Sequence, residues 1–184
     1  MFFEDECHFK LTLTIIRAWF LAGTIPEIKS PVDRFKVSIF GAMGRNGQLI
    51  TLQSEIFNAE TFRLFLVKLL CEAEVSRKED GSKKKILLVL DNAKYHHAKI
   101  LKPWLEEFSD LIEFFFLPAY SPDLLVLRTK YAVNPIEMLW KKTRRNVTHN
   151  RYFSSLQELR YDLYQYWIQF FEPNDELSKL SAFI

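Results

Sequence analysis

The stretch Ile86-Leu87-Leu88-Val89-Leu90-Asp91 decides the fold class. Its unbroken apolarity fits a strand buried on both faces, as in the centre of a parallel sheet, and it ends in a carboxylate. Upstream, Asn58 reads as an N-cap, Glu60 suits a first turn, and Phe62, Phe65, Leu66 and Leu69 recur at helical spacing. The charged run from Glu79 to Lys85 reads as an exposed linker into the strand. Downstream, a helix is expected around Ala98 to Phe108 and a further strand over Ile112 to Leu117.

The N-terminal part has a different rhythm. Phe3, Asp5, Cys7 and Phe9 alternate with Glu4, Glu6, His8 and Lys10, the period of a strand with one apolar and one polar side. Asp5 falls on the apolar side. After a turn-rich Gly23 to Pro31, the segment Phe35 to Gly41 alternates again, Gly44 to Gly47 makes a turn, and Leu49 to Phe57 can supply another strand. This predicts an antiparallel meander of three or four strands. The tail predicts one helix from Asn134-Pro135 and another near Ser155, where Ser155 and Glu158 read as a capping box. In that last helix Leu156, Leu159, Leu163, Tyr166 or Trp167, and Phe170 form an apolar stripe. The whole is an α/β layout in one domain over residues 1–184, a central mixed sheet of meander plus parallel strands flanked by helices.

Composition narrows the class. With 184 residues, 48% hydrophobic and 15% aromatic, the chain can bury a core, and five Gly and seven Pro exclude a fibrous protein. No apolar run approaches the roughly 20 residues needed to span a bilayer, and no basic-then-apolar leader opens the chain, so a soluble, cytoplasmic protein is expected. Cys7 and Cys71 lie far apart, which argues against a disulfide framework or a structural zinc. A formal charge of +2 is too small to imply a polyanionic partner by itself.

Three carboxylates stand out. Asp91 ends the buried strand, where open α/β sheets place ligand groups; capping of the next turn is its ordinary alternative. Asp5 sits in an apolar alternation, where an ionised carboxylate is costly unless paired or metal-bound; an edge strand with a solvated face is its alternative. Glu137 falls at the third position of a helix capped by Asn134, so it can complete a capping box. It also heads a row with Lys141, Arg144 or Arg145, and Thr148, while Ile136, Leu139, Trp140, Thr143 and Val147 take the neighbouring face. An acid at the head of a basic stripe suits a site that binds metal and then follows a phosphodiester backbone, although a plain amphipathic helix has the same pattern. Three carboxylates from separate elements suit Mg2+ better than zinc. His8, His96, His97 and His149 show no metal-ligand spacing, and neither a nucleophile elbow nor a nucleotide-binding glycine motif is present. The chemistry indicated is metal-assisted attack on phosphate.

In order along the chain, Phe3-Glu4-Asp5-Glu6, Leu90-Asp91-Asn92-Ala93-Lys94-Tyr95-His96, Leu117-Pro118-Ala119-Tyr120-Ser121-Pro122-Asp123-Leu124 and Asn134-Pro135-Ile136-Glu137-Met138-Leu139-Trp140 resemble the signature of mariner-like DDE transposases, particularly those of bacterial insertion sequences. The resemblance implies an RNase H-like fold and a triad of Asp5, Asp91 and Glu137 holding two Mg2+ ions, with Mn2+ as a substitute. It implies cleavage of DNA at element ends and strand transfer into target DNA. Asn92 and His96 would orient a metal-binding carboxylate or position substrate, local turn hydrogen bonding being the alternative. Lys141, Lys142, Arg144 and Arg145 would neutralise DNA phosphates, and Tyr120, Ser121 and Pro122 would form a rigid loop near the site. A homodimer in a synaptic complex, associated with the bacterial nucleoid when on DNA, is also implied.

Two departures from the family pattern remain. Only four residues precede Asp5, so the usual helix-turn-helix recognition region is expected to be absent, and nine residues, Leu125 to Val133, intervene before Asn134. Both leave open a catalytically inactive or decayed remnant that acts as a DNA-binding or interaction protein. A general nuclease acting on RNA/DNA hybrids is a third reading.

Overall fold

The computed structural model describes residues 1–17, 22–23, 35–75, 81, 84–117 and 134–182. Strands β1 (Phe2–Lys10), β2 (Lys36–Gly44) and β3 (Leu49–Ser54) form the antiparallel meander. Strand β4 (Ile86–Leu90) pairs in parallel with β1, and β5 (Ile112–Phe116) pairs in parallel with β4. The order is therefore β3-β2-β1-β4-β5, which makes β1 the central strand. As the unbroken run predicts, Ile86, Leu88, Val89 and Leu90 are buried.

Helices cover both sides. Helix α1 (Ala59–Glu72) is capped by Asn58, whose side chain accepts from the Thr61 N–H, and buries Phe62, Phe65, Leu66 and Leu69. These pack with Phe2, Phe40 and Leu88 on one side of the sheet. On the other side α3 (Pro135–Thr143) and α4 (Leu156–Trp167) enclose Cys7, Phe9 and Ile39 with Ile136, Trp140, Leu163 and Trp167. Between β4 and β5 the short helix α2 spans Leu101–Glu107, and α5 (Asp175–Ser181) follows α4 near the C-terminus.

Several expectations need adjusting. The helix after Asp91 starts at Leu101, not Ala98, because a 3₁₀ turn at Lys94–His97 comes first and carries His96 inward. A π-helical turn at Arg144–Thr148 extends α3, closed by the His149 N–H donating to the Arg144 carbonyl at 2.8 Å. At the start of α4, Ser155 accepts from the Glu158 N–H as expected, but the Glu158 carboxylate reaches back to Ser154, so the box is shifted by one residue. The largest correction concerns β1. Glu4, read as belonging to the polar side, is 1% exposed. Because β1 is central, α1 and the 3₁₀ turn cover its second side at Phe2 and Glu4, Glu6 is partly covered, and from His8 onward that side is exposed. The expected turn over Gly23 to Pro31, apart from Gly23, and the segments Tyr120 to Pro122 and Leu125 to Val133 lie outside the described residues.

One glycine is dictated by packing. Gly41 stands opposite Asp5 in the register, and a Cβ there would lie 2.5 Å from two indole carbons of Trp140 and 3.1 Å from Ile136 Cδ1. Gly41→Ala is therefore expected to cost about 1–3 kcal/mol of overpacking, read as a lower urea midpoint at unchanged slope.

Candidate active site

Phe2 and Phe3 of β1 stand opposite Leu88 and Val89 of β4. The same register carried two residues further sets Asp5 level with Asp91, just beyond the end of β4. Asp91 turns its Oδ1 onto the Ala93 N–H at 2.8 Å, an Asx turn that ends the strand, and keeps its side chain largely in solvent. Asp5 is more enclosed, and Trp140 Nε1 donates to its Oδ2 at 3.1 Å.

Glu137 arrives through a clamp. Asn134 caps α3 by accepting from the Ile136 N–H at 3.4 Å, and its own amide donates to the Glu4 carbonyl at 2.6 Å. One buried side chain thus starts the helix and fastens that start to the strand bearing Asp5. The electrostatics register the convergence. Burial lifts the Asp5 carboxyl to about 7, and the negative charges of Glu137 and then Asp91 push in the same direction, against hydrogen bonds to the Glu6 backbone and Trp140. Glu137 and Asp91 therefore both act on Asp5. Among the described residues no lysine or arginine forms an ion pair with any of them. Among the described residues their oxygens do not form a group within 4.8 Å of one another, but carboxylates left without a cationic side chain are donors of the kind a hard divalent cation takes.

The remaining expected site residues divide. Lys141 of α3, one turn after Glu137, and Arg145 of the π-helical turn are exposed. Lys142 pairs with Glu176 of α5. Arg144 lies back over β1, its Nη2 donating to Cys7 Sγ at 2.8 Å and its guanidinium 5.6 Å from the Phe9 ring centre. Asn92 turns away from Asp91; its amide donates to the Leu117 carbonyl at the end of β5, and its Oδ1 meets His97 Nε2 at 3.3 Å. His96 is buried, with Nδ1 3.1 Å from the Asp91 carbonyl and 3.3 Å from Asp91 Oδ1. Burial holds it below its ordinary range, with the hydrogen bond and charge of Asp91 opposing.

Sequence reasoning gave Glu4, Glu6 and Trp140 no role at this site, and Asn134 only that of a helix cap. Burial, with the charges of Asp5 and Asp91, lifts the Glu6 carboxyl to about 8, and Glu4, completely enclosed beside Glu6, Asp5 and Asp91, is pushed well above the carboxylate range. Two acids flanking Asp5 on either side were the available signal; only their inclusion in the polar side of the alternation hid it.

Comparison with known proteins bears on the family and the fold. Residues 1–160 match the family model described as DDE superfamily endonuclease. The Mos1 transposase paired-end complex with left transposon end aligns with a TM-score of 0.61 at 19% identity, over 96% of this chain and 49% of that one. The mariner Mos1 paired end complex with Mg aligns at 0.57 and 18%, over 97% and 52%. The catalytic domain of Mos1 mariner transposase aligns at 0.56 and 17%, over 96% of this chain and 72% of that domain. This chain thus spans about half the length of the transposase chains in those complexes. No protein of curated function matches, and no described helix is long and apolar enough to cross a membrane. The five-stranded mixed sheet with flanking helices is the RNase H-like arrangement of the transposase catalytic domain. With a family match running through β1, β4 and α3, the chain belongs to the DDE superfamily endonucleases.

Proposed function

We propose that this chain is the catalytic domain of a mariner-like DDE transposase of bacterial insertion-sequence type, cutting DNA at element ends and joining the 3′-hydroxyl to target DNA. The observation that carries the reading is Asp5: a carboxyl lifted to about 7 by burial and by Glu137 and Asp91. Such an arrangement is unfavourable unless something positive is taken up. Asp5, Asp91 and Glu137 would hold Mg2+, or Mn2+ in its place. Divalent ions supply an activated oxygen nucleophile and neutralise charge on the leaving oxygen; two ions would serve both ends of an in-line displacement.

The chain's own residues do the rest. Trp140 fixes the Asp5 rotamer through its Oδ2. Asn134 holds the first turn of α3 on β1 and thereby sets where Glu137 projects. His96 and the Asx turn hold the Asp91 segment from below, so its carboxylate stays at the strand end. Lys141 and Arg145 are exposed and would neutralise DNA phosphates beyond the acids, whereas Lys142 is paired with Glu176 and Arg144 is held against Cys7 and Phe9, so these two would contribute less. A homodimer pairing two element ends accords with the paired-end complexes among the similar structures.

Nicking of supercoiled plasmid in Mg2+ or Mn2+ tests this reading. Wild-type chain is expected to nick only with the divalent ion present, and Asp91→Asn and Glu137→Gln are expected to abolish it. A folded wild-type chain that fails to nick even when an element-end-binding module is supplied would leave the remnant reading in place.

A further inference from the structure

The second side of β1 holds a cluster in which the DNA-cutting reading uses only one atom, His96 Nδ1, and leaves Glu4, Glu6 and His96 Nε2 without a role. Glu4 and Glu6 project from β1 toward the 3₁₀ turn and converge on His96, whose Nε2 lies 3.6 Å from Glu4 Oε2 and 3.7 Å from Glu6 Oε1. Glu4 and His96 are 1% and 2% exposed. Neither Glu4 oxygen, nor Glu6 Oε1, nor His96 Nε2 has a hydrogen-bond partner. A buried carboxylate with both oxygens unpartnered is costly, and a native fold rarely tolerates it without a compensating charge.

The tautomer of His96 sharpens the point. Its Nδ1 sits 3.1 Å from the Asp91 carbonyl, which can only accept, so the proton belongs on Nδ1 and the neutral ring aims the Nε2 lone pair at the two carboxylates. Lone pair against carboxylate is repulsive. A proton shared between Nε2 and either glutamate would draw them to about 2.7–3.2 Å, the ordinary hydrogen-bond length, yet the separations exceed 3.5 Å on both sides. They match something else. Ligands about 2.0–2.2 Å from one tetrahedral ion stand about 3.3–3.6 Å from each other, and the three candidate donor atoms all lie within 4.8 Å of one another. A histidine that ligates through one nitrogen while its other N–H is held by a carbonyl or carboxylate is also the usual support for a metal ligand, and Asp91 supplies both.

We propose that Glu4, Glu6 and His96 form a binding site for a divalent cation of the zinc class, on the side of β1 opposite Asp5. Two carboxylates and one imidazole suit such an ion better than Mg2+, which takes oxygen donors. Zinc is the metal that histidine spacing argues against, but spacing detects only ligands on one element, and here the fold brings a turn after β4 under β1. The ion is structural: it ties the strand carrying Asp5 to the turn that follows Asp91. The site shares His96 with the Asp91 support, through the other ring nitrogen, and its binding of an ion holds or fails whether or not the chain cuts DNA.

The test uses the full chain carrying Asp5→Asn and Glu137→Gln, which removes two acids of the other centre, with Zn2+ as the probe. Calorimetry is expected to give one site, and zinc X-ray absorption is expected to show imidazole together with oxygen ligands. Adding Glu4→Gln or Glu6→Gln should weaken binding at least tenfold. Glu6 reaches partly into solvent, so its substitution serves where Glu4→Gln does not fold. No bound Zn2+, a bound ion whose spectrum lacks imidazole, or affinity untouched by the glutamate substitutions would each overturn the proposal. None of these readouts depends on nicking.

Discussion

Asp5→Asn is expected to make the metal-free chain more stable while removing its ability to cut DNA. The folded carboxyl titrates near 7 against an ordinary value of 3.8, so folding favours the protonated form. Between about pH 4 and pH 7 the unfolded chain has lost this proton and the folded chain still binds it; stability therefore falls as pH rises through that window. At 1.36 kcal/mol per unit the loss is about 4 kcal/mol by pH 8. Asparagine cannot ionise, so the variant escapes it. A scan without divalent ions at pH 8 should place the variant's melting temperature roughly 8–16 °C above wild type, using about 2–4 °C per kcal/mol for a chain of this size, and the two should converge near pH 4. Divalent ions should narrow the gap by stabilising wild type more than the variant. Nicking should fall about 10³-fold or more, since metal assistance contributes several kcal/mol and each 1.36 kcal/mol is tenfold. A variant no more stable than wild type at pH 8 would mean that the acids do not strain the fold.

Trp140→Ala is expected to be the most damaging single truncation near the site. The indole is 2% exposed, lies edge-on to Phe9 and Trp167 with ring centres 6.1 and 5.9 Å away, covers Gly41, and donates to Asp5. Removing a buried tryptophan typically costs about 3–5 kcal/mol, which a urea titration will show as a large drop in midpoint. Trp140→Phe separates the two roles. It keeps most of the packing but deletes the donor that favours the ionised carboxylate, so the Asp5 titration should move further upward and the pH–rate profile for nicking toward alkaline values. An unchanged profile with lowered stability would confine Trp140 to packing.

Which of these features could be read beforehand depends on how local their cause is. Strand β4 and helix α1 follow from an unbroken apolar run and from an Asn58 cap heading a 3.6-residue stripe, and both causes lie within the element. The start of α3 is equally local, since Asn134-Pro135 presets it. The burial of Glu4 is not local. It follows from β1 being third of five strands, a fact about pairing partners that the alternation of β1 itself does not contain. Likewise a basic stripe records where charges recur, whereas Arg144 is drawn onto Cys7 and Phe9, and Lys142 onto Glu176 of a helix that the sequence reading did not anticipate. The acids Asp5, Asp91 and Glu137 were legible because each sits at a strand centre, a strand end or a helix start; the groups that hold them, Trp140 and Asn134, reach across 135 and 130 positions to do so.

That last separation governs when the protein becomes itself during synthesis. The amide linking Asn134 to the Glu4 carbonyl closes one of the longest loops in the chain, and contacts so distant in sequence form late. A nascent chain can lay down the meander and β4 with Asp5 and Asp91 already level, yet it cannot recruit Glu137 until α3 has left the ribosome and docked on β1. The third acid is thus deferred until α3 is made, and a translation product interrupted before Asn134 keeps Asp5 and Asp91 without Glu137.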